Sequence, residues 1–239
     1  MSVRTNASGD YLQRIATLPV VTNFTICGWA RAKAINNAWQ YIAGLEDDTS
    51  SAGHWCLLGW RVTSKLLHIA ADVGGAGLYT NFTRQPTVDE WFFFALTRAG
   101  NAADTDYKGY ISRATDTDFE IIAIGSAMSG FTTANLQFMN NSFGEWTDGN
   151  IAHLRVWDAV LSEAELLSER NSATVVRTAN IHLIYRLATA TDTNDISGNA
   201  KNPTIGGSLT DDTDPPIGNG LSYPAISRLS FSQMMLAGD

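Results

Sequence analysis

The sequence predicts an all-β fold, a sandwich or a barrel, on three observations. Short runs of β-branched and aromatic residues recur along the 239-residue chain. Clusters of Gly, Asn, Asp and Thr separate them, as turns separate short antiparallel strands. A single segment carries the signals of a helix, so the strand–helix alternation of a parallel sheet is missing.

In chain order the candidate strands are Phe24–Ala32, Trp39–Leu45, His54–Val62, Leu66–Asp72, Trp91–Ala99, Tyr107–Arg113, Phe119–Ile124, Leu136–Asn140, Ile151–Trp157 and Ile181–Leu187. Turn signals between them include Gly74-Gly75, Ala99-Gly100-Asn101, Asp148-Gly149-Asn150 and Ser197-Gly198-Asn199. In Trp91-Phe92-Phe93-Phe94-Ala95-Leu96 both alternating faces are apolar, which predicts a strand covered on both sides and Phe92–Phe94 as core. Tyr107-Lys108-Gly109-Tyr110-Ile111-Ser112-Arg113 mixes polar and apolar residues, as a partly exposed strand does. The helix is read at Ser162-Glu163-Ala164-Glu165, a capping box, with Leu161 and Leu166 at the spacing of a hydrophobic staple. Arg170 suits its C-terminal dipole, Asn171 closes it, and about two turns follow.

The Thr/Asp-rich segments Asp104–Asp118, which also holds the candidate strand Tyr107–Arg113, and Asp192–Asp214 read as polar loops at the sandwich edge. Treating the second as a linker leaves about 25 residues behind it, too few to fold alone. Residues 1–239 therefore read as one domain.

Composition excludes several classes. With 16 Lys+Arg against 24 Asp+Glu the formal charge is −8, so nothing would neutralise a row of phosphates, and nucleic acid is not an expected partner. No apolar run is long enough to span a membrane, and Met1–Asp10 lacks the basic-then-apolar pattern of a secretory signal. Two cysteines, Cys27 and Cys56, are too few for a disulfide framework and sit in apolar runs, which predicts buried reduced thiols. The four histidines are scattered, never at metal-ligand spacing with cysteine.

Four motifs carry a family resemblance. The segment Gly149-Asn150-Ile151-Ala152-His153-Leu154-Arg155-Val156-Trp157, continued by Leu161-Ser162-Glu163-Ala164-Glu165-Leu166, resembles the strand–helix junction of laminin-G-like and pentraxin-like domains. Phe24-Thr25-Ile26-Cys27-Gly28-Trp29 and Trp91-Phe92-Phe93-Phe94-Ala95-Leu96-Thr97 resemble two of their strands. Ile184-Tyr185-Arg186-Leu187 with Asp195-Ile196-Ser197-Gly198-Asn199 resembles their Tyr-x-Leu … Asp-x-Ser-Gly-Asn signature. The resemblance implies a concanavalin A-like jelly-roll β-sandwich of two antiparallel sheets with one short helix. It does not fix the function, because that fold hosts lectins, glycosidases and structural proteins.

The glucanases of this fold use a Glu-x-Asp-x-x-Glu strand, which this chain lacks. Glu145-Trp146-Thr147-Asp148 comes nearest, but odd spacing sends the two carboxylates to opposite strand faces. No catalytic residue is expected. The pentraxin side of the resemblance brings calcium into view, yet Glu46-Asp47-Asp48 and Asp211-Asp212-x-Asp214 follow no recognisable ligand order, so no cofactor is assigned. For glycan binding the candidates are Trp39, Trp55, Trp60 and Trp146, aromatic residues near segments rich in Asn, Asp and Ser. The tail Leu229–Leu236 reads either as a final strand or as a docking segment with Phe231, Met234, Met235 and Leu236 as its contacts. A lone domain of this type resembles bacteriophage structural proteins. It implies a non-catalytic decoration, fibre or adhesin protein on a virion surface, made in the host cytoplasm. The partners then expected are other virion or capsid subunits, host-surface glycans and copies of itself. The alternative is a soluble carbohydrate-binding lectin.

Overall fold

The computed structural model describes residues 2–5, 10–14, 23–35, 39–46, 55–61, 63–72, 77–100, 107–124, 135–141 and 144–217. In chain order its elements are β1 (Ser2–Thr5), β2 (Tyr11–Arg14), β3 (Asn23–Ala32), β4 (Gln40–Glu46), β5 (Trp55–Trp60), β6 (Leu67–Asp72), β7 (Gly77–Asn81) and β8 (Phe92–Ala99). There follow β9 (Tyr107–Arg113), β10 (Glu120–Ile124), β11 (Asn135–Phe138), β12 (Gly149–Trp157), α1 (Glu163–Arg170), β13 (Ile181–Tyr185), β14 (Thr204–Gly206) and β15 (Thr210–Asp212).

The strands form two antiparallel sheets. One runs β10-β9-β8-β3-β12-β1-β15, with β13 also beside β12; the other runs β14-β2-β11-β4-β5-β6-β7. Alternation along each strand sends Phe24, Ile26, Phe92, Phe94, Leu96 and Val156 from the first sheet against Leu45, Leu58, Trp60, Ile69, Leu136 and Phe138 from the second. That shared core, closed by edge-to-face pairs such as Trp60 on Phe92 at 5.9 Å, makes the molecule the expected β-sandwich.

The opposite face of the eight-stranded sheet is buried as well. Cys27, Trp29, Phe93, Ala95, Tyr110, Ala152 and Trp157 point outward into a second cluster roofed by Leu161, Leu166 and Ile217. The doubly apolar reading of Trp91–Leu96 is thus accounted for: one face meets the other sheet, the other meets α1. At the helix start, the Ser162 side chain accepts from the Glu165 amide at 3.3 Å and Glu165 Oε2 accepts from the Ser162 amide at 2.8 Å, the capping box read from sequence. Asn171 is the C-cap. Arg155 holds the helix end through Glu169 at 2.6 Å and the Glu169 and Ser172 carbonyls at 2.9 and 2.7 Å.

Several expectations need correcting. Strands β1, β2, β7, β14 and β15 were not predicted, and the last two lie inside the supposed loop Asp192–Asp214. They are three to five residues long, and β14 and β15 are largely exposed, so strand pairing rather than an apolar face defines them. Within Asp104–Asp118 the predicted strand Tyr107–Arg113 is present as β9. Asp148-Gly149-Asn150 does not turn the chain but opens β12: a Cβ on Gly149 would stand 2.3 Å from the Arg31 carbonyl, and the buried Asn150 Oδ1 accepts from Arg31 at 3.0 and 3.2 Å. Gly198 does turn, at φ +90°, and Cys27 and Cys56 are free buried thiols in different sheets. The tail candidates Phe231, Met234, Met235 and Leu236 lie outside the described residues, as does the Gly74-Gly75 turn.

Candidate functional site

The outward face of the seven-stranded sheet differs in character. Tyr41, Leu57 and Ala70 cluster there, separate from the main core, while their strand neighbours Ile42, Cys56, Leu58, Ile69 and Ala71 point inward. Register places Gln137, Gly44, Leu57, Ala70 and Tyr79 in one row across β11, β4, β5, β6 and β7. The next row holds Tyr41, Gly59, His68 and Asn81. A bulge between Tyr41 and Ala43 resets β4 at this point and folds Tyr41 across Gly44, where a Cβ would meet Tyr41 Oη at 2.4 Å.

Four side chains make an aromatic patch at one end of these rows. Trp39, immediately before β4, stacks on Tyr79 with ring centroids 5.7 Å apart and planes 30° apart. His68 meets Trp39 edge-on at 5.6 Å and Tyr79 at 5.8 Å. The Arg61 guanidinium lies 5.1 Å from the Tyr79 centroid and 5.9 Å from that of Trp39, within cation–π range. Tyr79 is 40% exposed and Trp39 is half-buried, so the patch has a free side. Burial pushes His68 down to about 4, with the Arg61 charge adding to it; the imidazole is neutral at pH 7.

Polar groups line the rest of the face. Tyr41 is 1% exposed, and its hydroxyl has no hydrogen-bond partner among the described residues. Burial, then the charges of Glu46 and Glu145, hold that phenol well above its ordinary range. Gln137 Nε2 donates to Glu46 Oε2 at 2.9 Å, and Asn141 Nδ2 donates to Glu145 Oε2 at 2.7 Å. Burial raises the Glu145 carboxyl, against the pull of the Asn141 bond. The arrangement offers aromatic faces for an apolar ring surface beside amides, carboxylates and an unpartnered hydroxyl for polar substituents.

The four tryptophans singled out from the sequence part company here. Trp39 belongs to the patch. Trp146 is half-buried next to Glu145, in an isolated bridge with Asn140. Trp55 occupies a β5 position opposite Glu46 and Asp72, and its side chain lies outside the described residues. Trp60 is a correction: it packs on Phe92 in the core between the sheets and points away from this face. Sequence reading missed Tyr79, His68, Arg61 and Tyr41. The alternation His68, Ala70, Asp72 against Leu67, Ile69, Ala71 was the available signal for an outward His68.

The motif residues that carried the resemblance build the frame. Asp195 gathers the Ile184, Ser197 and Lys201 amides and the Ser197 hydroxyl at 2.8–3.0 Å, and Asn199 donates to the Ile181 and His182 carbonyls at 3.0 Å. Arg155 serves the helix. Between Ala152 and Arg155 a bulge in β12 puts the buried His153 at φ 51°. Asp148, the other half of the nearest carboxylate pair, is occupied with Arg4 at 3.1 Å. Asp212 is held by Arg31 at 3.2 Å and Lys33 at 3.5 Å; burial opposes its charge, yet the Thr213 amide, Asn150 and these cations keep it down at about 2. Among the described residues no three His, Cys, Asp or Glu side chains are placed to share a metal ion, and no helix is long and apolar enough to cross a membrane.

No protein-family model matches the chain, and no curated protein sequence does. Solved structures do resemble it. The enzymatically active domain of tailspike protein 2 from bacteriophage CBA120 aligns with a TM-score of 0.57 at 13% identity, over 78% of this chain and 32% of that one. A putative carbohydrate binding protein from Bacteroides ovatus gives 0.55 at 18% identity, over 91% of this chain and 62% of that one. A heptameric SAP-like pentraxin from Limulus polyphemus gives 0.51 at 14% identity, over 74% of this chain and 84% of that one. The chain thus spans less than two thirds of the tailspike domain and of the Bacteroides protein. At these identities the likeness establishes the fold alone: a concanavalin A-like jelly roll.

Proposed function

We propose that the protein is a non-catalytic carbohydrate-binding module whose site is the outward face of the seven-stranded sheet, around Trp39 and Tyr79. The observation that carries this reading is the Trp39–Tyr79–His68–Arg61 patch set beside the unpartnered Tyr41 hydroxyl. Sugar rings present C–H faces that pack on such aromatics, and their hydroxyls need the donors and acceptors found alongside. The likeness to a putative carbohydrate binding protein supports it. On a glycan array the wild-type protein binds a defined set of structures. Trp39→Ala and Tyr79→Ala lose that binding while melting within a few degrees of wild type. Binding that survives both changes refutes the site.

The finer reading places the module on a virion surface, as an adhesin or decoration protein that docks on other virion subunits. The likeness to a phage tailspike supports it. Immunogold labelling and quantitative mass spectrometry of purified particles test it, and absence from the particle overturns it. Hydrolysis is not part of the proposal. Incubation with laminarin or agarose releases no reducing ends, and turnover abolished by replacing a single Glu would refute that.

A further inference from the structure

The charge around the aromatic patch narrows the class of glycan. Glu46, Asp72 and Glu145 belong to this face: Glu46 and Asp72 stand in the outward register row of β4 and β6, and the charges of both acidic loop and strand residues reach the Tyr41 and Tyr79 hydroxyls. Against these three carboxylates the described residues of the face set one guanidinium, that of Arg61, which already lies against both rings. His68 adds no charge at pH 7.

The second observation is the Tyr41 hydroxyl. It is enclosed and without a partner among the described residues, over Gly44 and between the charges of Glu46 and Glu145. A donor left in that position, flanked by carboxylate acceptors, matches a ligand hydroxyl that accepts from Tyr41 and donates to a carboxylate. A sugar hydroxyl does both. A sugar carboxylate or sulfate can only accept, and would sit among like charges.

We infer that the site takes uncharged glycans and rejects those bearing uronate, sialate or sulfate groups. This rests on the carbohydrate-binding reading above and assigns its ligand class. With Arg61 offsetting one of the three carboxylates, two net negative charges taken at about 7 Å in aqueous surroundings weaken the binding of an anionic group roughly sevenfold against its neutral counterpart. The discrimination shrinks in 1 M salt, where the screening length falls to about 3 Å.

Matched pairs on one backbone test the inference: lacto-N-tetraose with its sialylated form, agaro-oligosaccharide with its chemically sulfated form, and carboxyl-reduced hyaluronan with hyaluronan. Affinities are measured by calorimetry at low and high salt on the whole chain. The expected result is binding to at least one neutral member, with its anionic partner severalfold weaker. In the double variant Asp72→Asn/Glu145→Gln that gap closes severalfold; a melting curve confirms that the variant is folded. If an anionic member binds as well as or better than its neutral partner, and Trp39→Ala abolishes that binding, the charge-class inference falls while the site stands. If no member binds, or Trp39→Ala changes nothing, the carbohydrate-binding reading falls and the inference with it.

Discussion

Replacing Glu169 with alanine tests the least exposed ion pair described here. Arg155 and Glu169 are 2% and 0% exposed, and their charged atoms approach to 2.6 Å. Glu169 also accepts from the Val176 and Arg177 amides at 2.9 and 2.7 Å, so its loss strands one buried cation and two backbone donors. Removing one partner of a buried pair costs about 3–5 kcal/mol, because the remaining charge has lost its compensation. The Glu169 and Ser172 carbonyls still face Arg155, which keeps the figure within that range rather than above it. For a chain of this length each kcal/mol lowers Tm by about 2–4 °C, giving a drop of about 6–20 °C. Thermal and urea unfolding at pH 7 measure it. The double variant Arg155→Met/Glu169→Leu is expected to lose less than the sum of the single changes, since it leaves no orphaned charge. A Glu169→Ala protein that melts with wild type, or single costs that simply add, would refute the reasoning.

Other outcomes follow from single groups. Ser162→Ala removes the helix cap and costs about 0.5–2 kcal/mol in thermal unfolding, with glycan binding unchanged. Burial holds His153 and His68 down at about 3 and about 4, whereas the unfolded chain protonates them near about 6.5. The unfolded state therefore binds more protons over that window, and stability falls as pH drops from about 6.5 toward about 4, by up to about 1.4 kcal/mol per pH unit for each histidine. In urea titrations His153→Asn, a residue that tolerates the left-handed backbone, flattens that slope; an unchanged slope counts against it. Burial pushes Cys56 up to about 12 and Cys27 higher, so an aromatic disulfide reagent modifies neither until the protein unfolds. Fast modification of the native protein would show that one of the two is accessible.

The parts legible in the sequence are those with a local cause. The capping box, the Leu161–Leu166 staple and the doubly apolar Trp91–Leu96 strand each state their surroundings within a few residues, and the structure places all three accordingly. Strands β1, β14 and β15 have no such cause. Thr210–Asp212 is a strand because Ser2–Arg4 runs beside it, some 200 residues away, and nothing in Thr-Asp-Asp announces that. The site was partly legible for the same reason. Trp39 stood out as an aromatic residue in a polar setting, but Tyr79 follows a glycine-rich stretch that read as a turn, and only pairing with β6 brings it beside His68. Trp60 misled because both faces of β5 are apolar, which hides the phase of the strand until the sheets are assembled.

The pairing of β1 with both β12 and β15 also constrains how the chain comes to be made. Val3 sits opposite Ile151 on one side and Asp211 on the other, so among the described strands β1 has no neighbour until about 150 more residues exist. Its second neighbour appears about 60 residues later. At about 5–20 residues per second the unpaired strand waits roughly 10–40 s for a full complement of partners. During that time Ser2–Thr5 is an open edge in a crowded cell, and the eight-stranded sheet cannot close. Such non-local pairing puts the domain among slow folders, and assembly is completed after synthesis of residue 212 rather than along the way.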